Sequence, residues 1–447
     1  MPASSPPRRL SRLAAVCLIL CAMFIPVLSW SAYASSVLGV TASMPQKSYS
    51  PAADPAEDYR ALSRQLSRRW FSQDQIRSLW NRMGADLLEL LETGVLSYSD
   101  LSYLALPFSR EELLARYQAL AQSAPGLSVE ETVLQVNMGL DRPFYQDAEI
   151  LAAPAGADVL VNKYHVLPED YVPELVPLTG LGSGSLSPPA AEAFRQMAQA
   201  AQADGITLRS VSAYRSYQTQ RSLYQSYVNQ WGQANADTYS ARAGSSEHQT
   251  GLALDINVST RWAYFEKTPA YAWLVEHCAE YGFILRYPEG KQHITGYRFE
   301  PWHYRYVGTE AAKACMDHGL TYEEYIALLP AEEDSRLPHL IVQGTPLELE
   351  ESPLMLEGAL YVPAASLAQS LGWNASFSGR KAVLFDGDRQ ISLAPWLRCQ
   401  ADGVTLEQTA PVLPLDEALY LPLDDLCAAL GAALERTPGG DYLITPA

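Results

Sequence analysis

Gly244-Ser245-Ser246-Glu247-His248-Gln249-Thr250-Gly251-Leu252-Ala253-Leu254-Asp255 is the stretch that decides how this chain folds and what it can do. It opens as a small polar loop and runs into Leu252 to Val258, a segment with the apolar content of a strand. Gly251 stands at the change-over, where a residue free to take positive φ lets a loop turn into a strand. A turn followed by a strand can bring His248 and Asp255, seven positions apart, to one point. A second stretch of similar character is Glu300-Pro301-Trp302-His303-Tyr304-Arg305-Tyr306. The chain has only seven histidines, so two in such company carry weight.

A hydrolytic zinc ion needs three nitrogen or oxygen ligands and one open position for water. His248, Asp255 and His303 supply such a set. Glu300 precedes His303 by three residues and would face away from it in a straight strand. Pro301 fixes its own φ and pushes Glu300 towards an extended conformation, so a bend there can set Glu300 beside the open position. Zinc lowers the pKa of a bound water to about 7, and a neighbouring carboxylate can take the proton and hand it to a leaving amine. A single histidine among aromatics is ordinarily a packed or surface residue. The combination with Asp255 and Glu300 is what favours a metal.

The pattern Ser246-x-His248-x-x-Gly251-x-Ala253-x-Asp255 followed by Glu300-x-x-His303 resembles the zinc D-Ala-D-Ala metallopeptidases, the group of the VanY carboxypeptidases and VanX dipeptidases. The resemblance implies that His248, Asp255 and His303 are the zinc ligands and Glu300 the base. Ser212-Ala213-Tyr214-Arg215-Ser216 matches the segment whose arginine steadies the scissile carbonyl, which gives Arg215 that role. Ser246 matches a position near the substrate's terminal carboxylate. Gln220, in the Gln-x-x-x-Tyr stretch of the next helix, joins Tyr214 and Trp302 as a further substrate-binding candidate. Leu160 to Tyr164, Leu167-Pro168-x-x-Tyr171 and Arg286-Tyr287-Pro288-Glu289-Gly290-Lys291 also look VanY-like, the last favouring the carboxypeptidase branch. The resemblance covers roughly 159–329.

The implied activity is removal of the C-terminal D-alanine from peptidoglycan stem peptides, with Zn2+ as cofactor. An L,D-carboxypeptidase on tetrapeptide stems would use the same ligands. A non-catalytic wall-binding protein is the reading from another class, and retention of Glu300 together with all three ligands argues against it.

Composition fits an exported protein and excludes nucleic acid as a partner. Fifty acids face 32 bases, a formal charge of -18, whereas phosphates reward lysine and arginine. Arg8, Arg9 and Arg12 precede an apolar run from Leu13 to Trp30 and the small residues Ala32-Tyr33-Ala34, the pattern of a secretory signal peptide over 1–34, or of a retained membrane anchor. The lack of a small residue before Cys21 speaks against lipid attachment. Cys278, Cys315, Cys399 and Cys427 form no C-x-x-C pair, and buried free thiols or disulfides both remain open.

The expected fold class is α+β: a small antiparallel-sheet zinc peptidase domain over 151–330, preceded by a helical module over 58–150 and followed by an α/β repeat domain over 338–447. A Ser/Pro/Ala linker spans 35–57. Capping boxes are expected at Ser72 with Gln75, Ser109 with Glu112 and Ser128 with Glu131. In the tail, Ala359-Leu360-Tyr361-Val362-Pro363 is echoed by Ala418-Leu419-Tyr420-Leu421-Pro422, and Leu367, Leu371 and Gly372 by Leu426, Leu430 and Gly431. Each copy reads as strand, Pro-started helix, strand. This tail resembles the stalk-like domain named copper amine oxidase N-terminal; with His339 its only histidine, no copper is implied. The resemblance leaves it a structural or wall-polymer-binding module.

Overall fold

The computed structural model describes residues 56–446 except 153, 155, 258–263, 331–336, 396, 407, 411, 416, 417 and 439. The signal peptide expected over 1–34, nearly all of the linker over 35–57, and Val258 lie outside the described residues. The described chain divides into two compact units. One runs from Ala115 to Leu329; the other joins residues up to Leu114 with those from Pro330 onward.

The first unit is built on a four-stranded sheet: β1 (Arg209–Ser212), β2 (Ala253–Asn257), β3 (Phe283–Leu285) and β4 (His303–Tyr306), in the spatial order β1-β2-β4-β3. Every pairing is antiparallel, as expected for this domain. Alternation along a strand sends successive side chains to opposite faces. Leu254, Ile256 and Tyr304 enter a core with Phe194, Met197 and Ala201 of helix α1 (Pro188–Ala203). Their neighbours Asp255, His303 and Arg305 are left for the other face. Helix α2 (Tyr217–Trp231) follows β1, α3 (Pro269–His277) precedes β3, and α4 (Thr309–His318) and α5 (Tyr322–Leu328) close the unit.

Helix ends in this unit follow the capping signals of the sequence in part. Ser128 accepts from Glu131 N and completes its box. Thr268 caps α3 ahead of Pro269. Ser187 precedes Pro188 of α1 but makes no side-chain cap.

In the second unit, helices Glu57–Ser67, Gln73–Met83, Asp86–Glu92 and Tyr98–Leu104 share a core with strands of the tail. Tyr59, Leu62, Ile76, Leu79 and Leu101 pack with Leu354, Leu356, Tyr361, Leu413 and Tyr420. The Trp80 indole donates to the Met355 carbonyl at 3.0 Å. Thus the helices of 58–150 are shared between the two units. Ser72 and Gln75 form their capping box. Ser109 does not: its hydroxyl donates to Leu104 O and accepts from Arg82, and Arg110 takes the cap position of the short turn that follows. The echoed strands Ala359–Pro363 and Ala418–Pro422 pair with each other, Tyr361 opposite Pro422 and Pro363 opposite Tyr420. Each leads into a helix, Ala364–Ser370 and Leu423–Leu430. All four cysteines of the described residues are free and buried. No helix among those residues is long and apolar enough to cross a membrane.

Candidate metal centre and active site

Asp255 and His303 are directly opposed across the β2–β4 ladder, so both point to the same face at neighbouring positions. His248 reaches them from the 3-10 turn Glu247–Thr250, which ends where Gly251 takes φ 69°. A Cβ at Gly251 would also stand 3.1 Å from Ser187 N and from Leu175 Cδ2. Glycine is therefore required twice over, by conformation and by space.

The three side chains offer ligand atoms that all lie within 4.8 Å of one another. His248 Nδ1 donates to the Ala213 carbonyl at 2.7 Å, which leaves Nε2 as the lone-pair nitrogen, 3.5 Å from Asp255 Oδ1. His303 Nδ1 lies 3.2 Å from the same oxygen. Asp255 Oδ1 is buried without a hydrogen-bond partner. Buried carboxylate oxygens are seldom left so. Two imidazoles and a carboxylate converging on one point, with one tautomer already fixed and an orphaned oxygen, fit a divalent cation of zinc type.

Electrostatics favour the ligand form of His248 and Asp255, while His303 without a cation holds its proton more tightly. Burial lowers the His248 pKa, helped by Arg215, and so favours the neutral ring that a metal needs. Burial works against ionised Asp255, but His248 and His303 outweigh it and hold the carboxyl well below the usual range. For His303, burial is likewise outweighed, here by Asp255 and Glu247, and the pKa rises to about 9.

Glu300 meets this centre through a tight turn. His303 N donates to Glu300 O at 3.1 Å with Pro301 at the second position, a β-turn arrangement. The turn sets Glu300 Oε2 3.7 Å from His303 Nδ1. Burial pushes the Glu300 carboxyl up to about 8, with Asp255 adding to it while His303 and Arg215 oppose.

These groups line one cavity of about 480 Å³, together with Ser212, Arg215, Gln220, Ser246 and Trp302. Arg215 is fixed at two points: Nη1 donates to Gln220 Oε1 at 2.8 Å and Nη2 to Ser212 Oγ at 2.8 Å. Its Nη2 lies 3.8 Å from Asp255 Oδ2. Gln220 is buried and donates to Ala241 O at 2.7 Å, so its amide braces Arg215. Tyr214 is only half-buried and is absent from the residues lining the cavity. The sequence reading gave no role to Glu247, which the structure buries against His303, Arg286 and Arg305. Nor did it single out Tyr227, Tyr239, Tyr297 and Arg298, which also line the cavity. Tyr227 comes from α2 and the others from segments outside the sheet, a convergence that no local motif encodes.

Residues 183–309, which include every metal and base candidate, match the family model described as VanY: D-alanyl-D-alanine carboxypeptidase. The chain is 39% identical over 191 residues to the putative carboxypeptidase YodJ of Bacillus subtilis (strain 168), covering 40% of this chain and 69% of that protein. Among solved structures, the LdcB LD-carboxypeptidase is 39% identical, with 40% of this chain and 89% of that one covered and a TM-score of 0.38. A mutant of the vancomycin resistance D,D-pentapeptidase VanY from a VanB-type cassette, in complex with Zn(II), is 36% identical, covering 38% of this chain and 98% of that one at a TM-score of 0.35. With the YodJ match spanning more than two thirds of that relative, and the family model falling on the stretch that holds His248, Asp255, Glu300 and His303, the chain belongs to the VanY family of D-alanyl-D-alanine carboxypeptidases.

Proposed function

We propose that this protein is a zinc-dependent carboxypeptidase that removes the C-terminal D-alanine from peptidoglycan stem peptides outside the cytoplasm. The observation that carries the reading is the convergence of His248, Asp255 and His303, whose ligand atoms lie within 4.8 Å of one another, with Glu300 Oε2 3.7 Å from His303 Nδ1. The three would hold zinc, which when bound supplies Lewis acidity for a water and a carbonyl. Glu300 takes a proton from the attacking water and returns it to the amine as the C–N bond breaks. Arg215, kept straight by Gln220 and Ser212, presents its guanidinium to the scissile carbonyl oxygen as charge develops there. Ser246 and Trp302 contact the terminal residue of the peptide. Tyr214 acts from outside the lined cavity, through the backbone that carries Arg215. The tail, with its paired repeat, serves as a stalk that contacts wall polymer.

The test is release of D-alanine from UDP-muramyl pentapeptide and from the tetrapeptide, side by side, with and without chelator. The D,D reading expects release from the pentapeptide, its loss on chelation and its return with Zn2+. Preference for the tetrapeptide would make the enzyme an L,D-carboxypeptidase on the same ligands. Undiminished release after complete metal removal would end the zinc reading.

A further inference from the structure

Glu247 sits immediately before a metal-ligand candidate, yet points to a different one. Its side chain is completely buried. Oε1 accepts from Arg286 Nε at 2.7 Å and from Arg305 Nη1 at 2.9 Å. Arg305 is two residues beyond His303 on β4, so alternation puts both on the same face. Arg286 in turn holds Glu323 of α5 through two hydrogen bonds, at 2.8 and 2.7 Å. Two carboxylates and two guanidiniums thus form a closed, buried set. Such a set is costly to remove from water, and its members are expensive to delete one at a time.

The remaining oxygen, Glu247 Oε2, is buried without a hydrogen-bond partner, and so is His303 Nε2. The two orphans face each other at 3.6 Å. That is just outside hydrogen-bond range, and a small rotation of the ring closes it. One proton on Nε2 satisfies both atoms. It also leaves Nδ1, the nitrogen facing Asp255 and Glu300, as the unprotonated one.

We propose that Glu247 is the positioning residue of the centre: its Oε2 accepts the His303 Nε2 proton, fixing the tautomer in which Nδ1 is free to bind the ion, while Arg286 and Arg305 hold the carboxylate in place. His248 has the corresponding restraint from the Ala213 carbonyl, so each histidine is locked through the nitrogen turned away from the ion. The inference rests on the zinc reading above.

The test uses the full chain loaded with zinc and labelled with 15N-histidine. Long-range 1H–15N spectra report which ring nitrogen of His303 carries the proton, the signal being assigned by its loss in His303→Gln. The expected result is a protonated Nε2 and a zinc-bound Nδ1. Glu247→Gln turns an amide towards Nε2 and should weaken zinc binding about 10- to 100-fold in chelator competition. Glu323→Gln disturbs the same charge set away from His303; it should lower the melting temperature without that loss of affinity. A wild-type Nε2 that is deprotonated or zinc-bound overturns the proposal, as does a folded Glu247→Gln protein with undiminished affinity. If Glu247→Gln does not fold, the wild-type spectrum decides alone. Wild-type protein that takes up no zinc sinks the metal reading and this inference with it; zinc bound through the other nitrogen sinks this inference only.

Discussion

Glu300 has 12% of its side chain exposed, and its carboxyl faces both His303 and Asp255 across a short gap. Replacement by Gln keeps the shape and removes the proton acceptor. Zinc content should be retained while kcat falls about 10²- to 10⁴-fold, measured on pentapeptide with metal analysis alongside. In protein stripped of divalent metal, the same group shapes stability. Its carboxyl pKa is about 8 when folded against 4.5 for the ordinary group, so the folded state binds the proton more tightly. That contribution is complete below about pH 4.5 and is lost as pH rises to about 8. Unfolding curves of the wild type and Glu300→Gln across this window should converge in slope only outside it, with the variant the flatter of the two inside. Arg215 differs in kind. It donates to Gln220 and Ser212 through separate arms of the fork, a geometry lysine cannot reproduce. Arg215→Lys should therefore lose nearly as much kcat as Arg215→Ala, on the order of 10²- to 10³-fold. The candidate metal ligands and base were legible because His, Asp and Glu in that order and spacing have few other uses. Glu247 was not, because what gives it meaning, Arg286 and Arg305, comes 39 and 58 positions later.

Turns and strand register decide whether those residues meet. Gly251 ends the turn bearing His248, and its space is bounded by Ser187 N and Leu175. Gly251→Ala forces a left-handed alanine into that contact and should cost about 1–3 kcal/mol of stability, read by denaturant unfolding. The Pro301 bend was readable, since Pro favours the second position of a turn and the chain must reverse Glu300 against His303. The box at Ser109 misled because the buried guanidinium of Arg82 competes for its hydroxyl, and local propensity yields to a burial requirement. The opposition of Asp255 to His303 was invisible in the sequence. Register belongs to two strands 48 positions apart by number, and only their pairing sets it.

Connectivity gives the whole molecule an unusual order of assembly. The first helices and the last strands share one core, while 115–329 form the other unit between them in sequence. A chain ending at 329 should keep a folded, zinc-binding Ala115–Leu329 unit but leave Tyr59, Leu62, Ile76 and Leu79 without their partners. Limited proteolysis should then spare the former and clip the helices before it. Synthesis makes the full-length chain pass through the same condition. Trp80 and the Met355 carbonyl it binds are 275 positions apart. At roughly 5–20 residues per second, the ribosome needs on the order of 14 to 55 seconds to deliver the second after the first. For that interval the apolar faces of Leu62, Ile76 and Leu79 lack the strand surface of Leu354, Leu356 and Leu413 that covers them in the finished fold, and surface left open in this way is prone to aggregation.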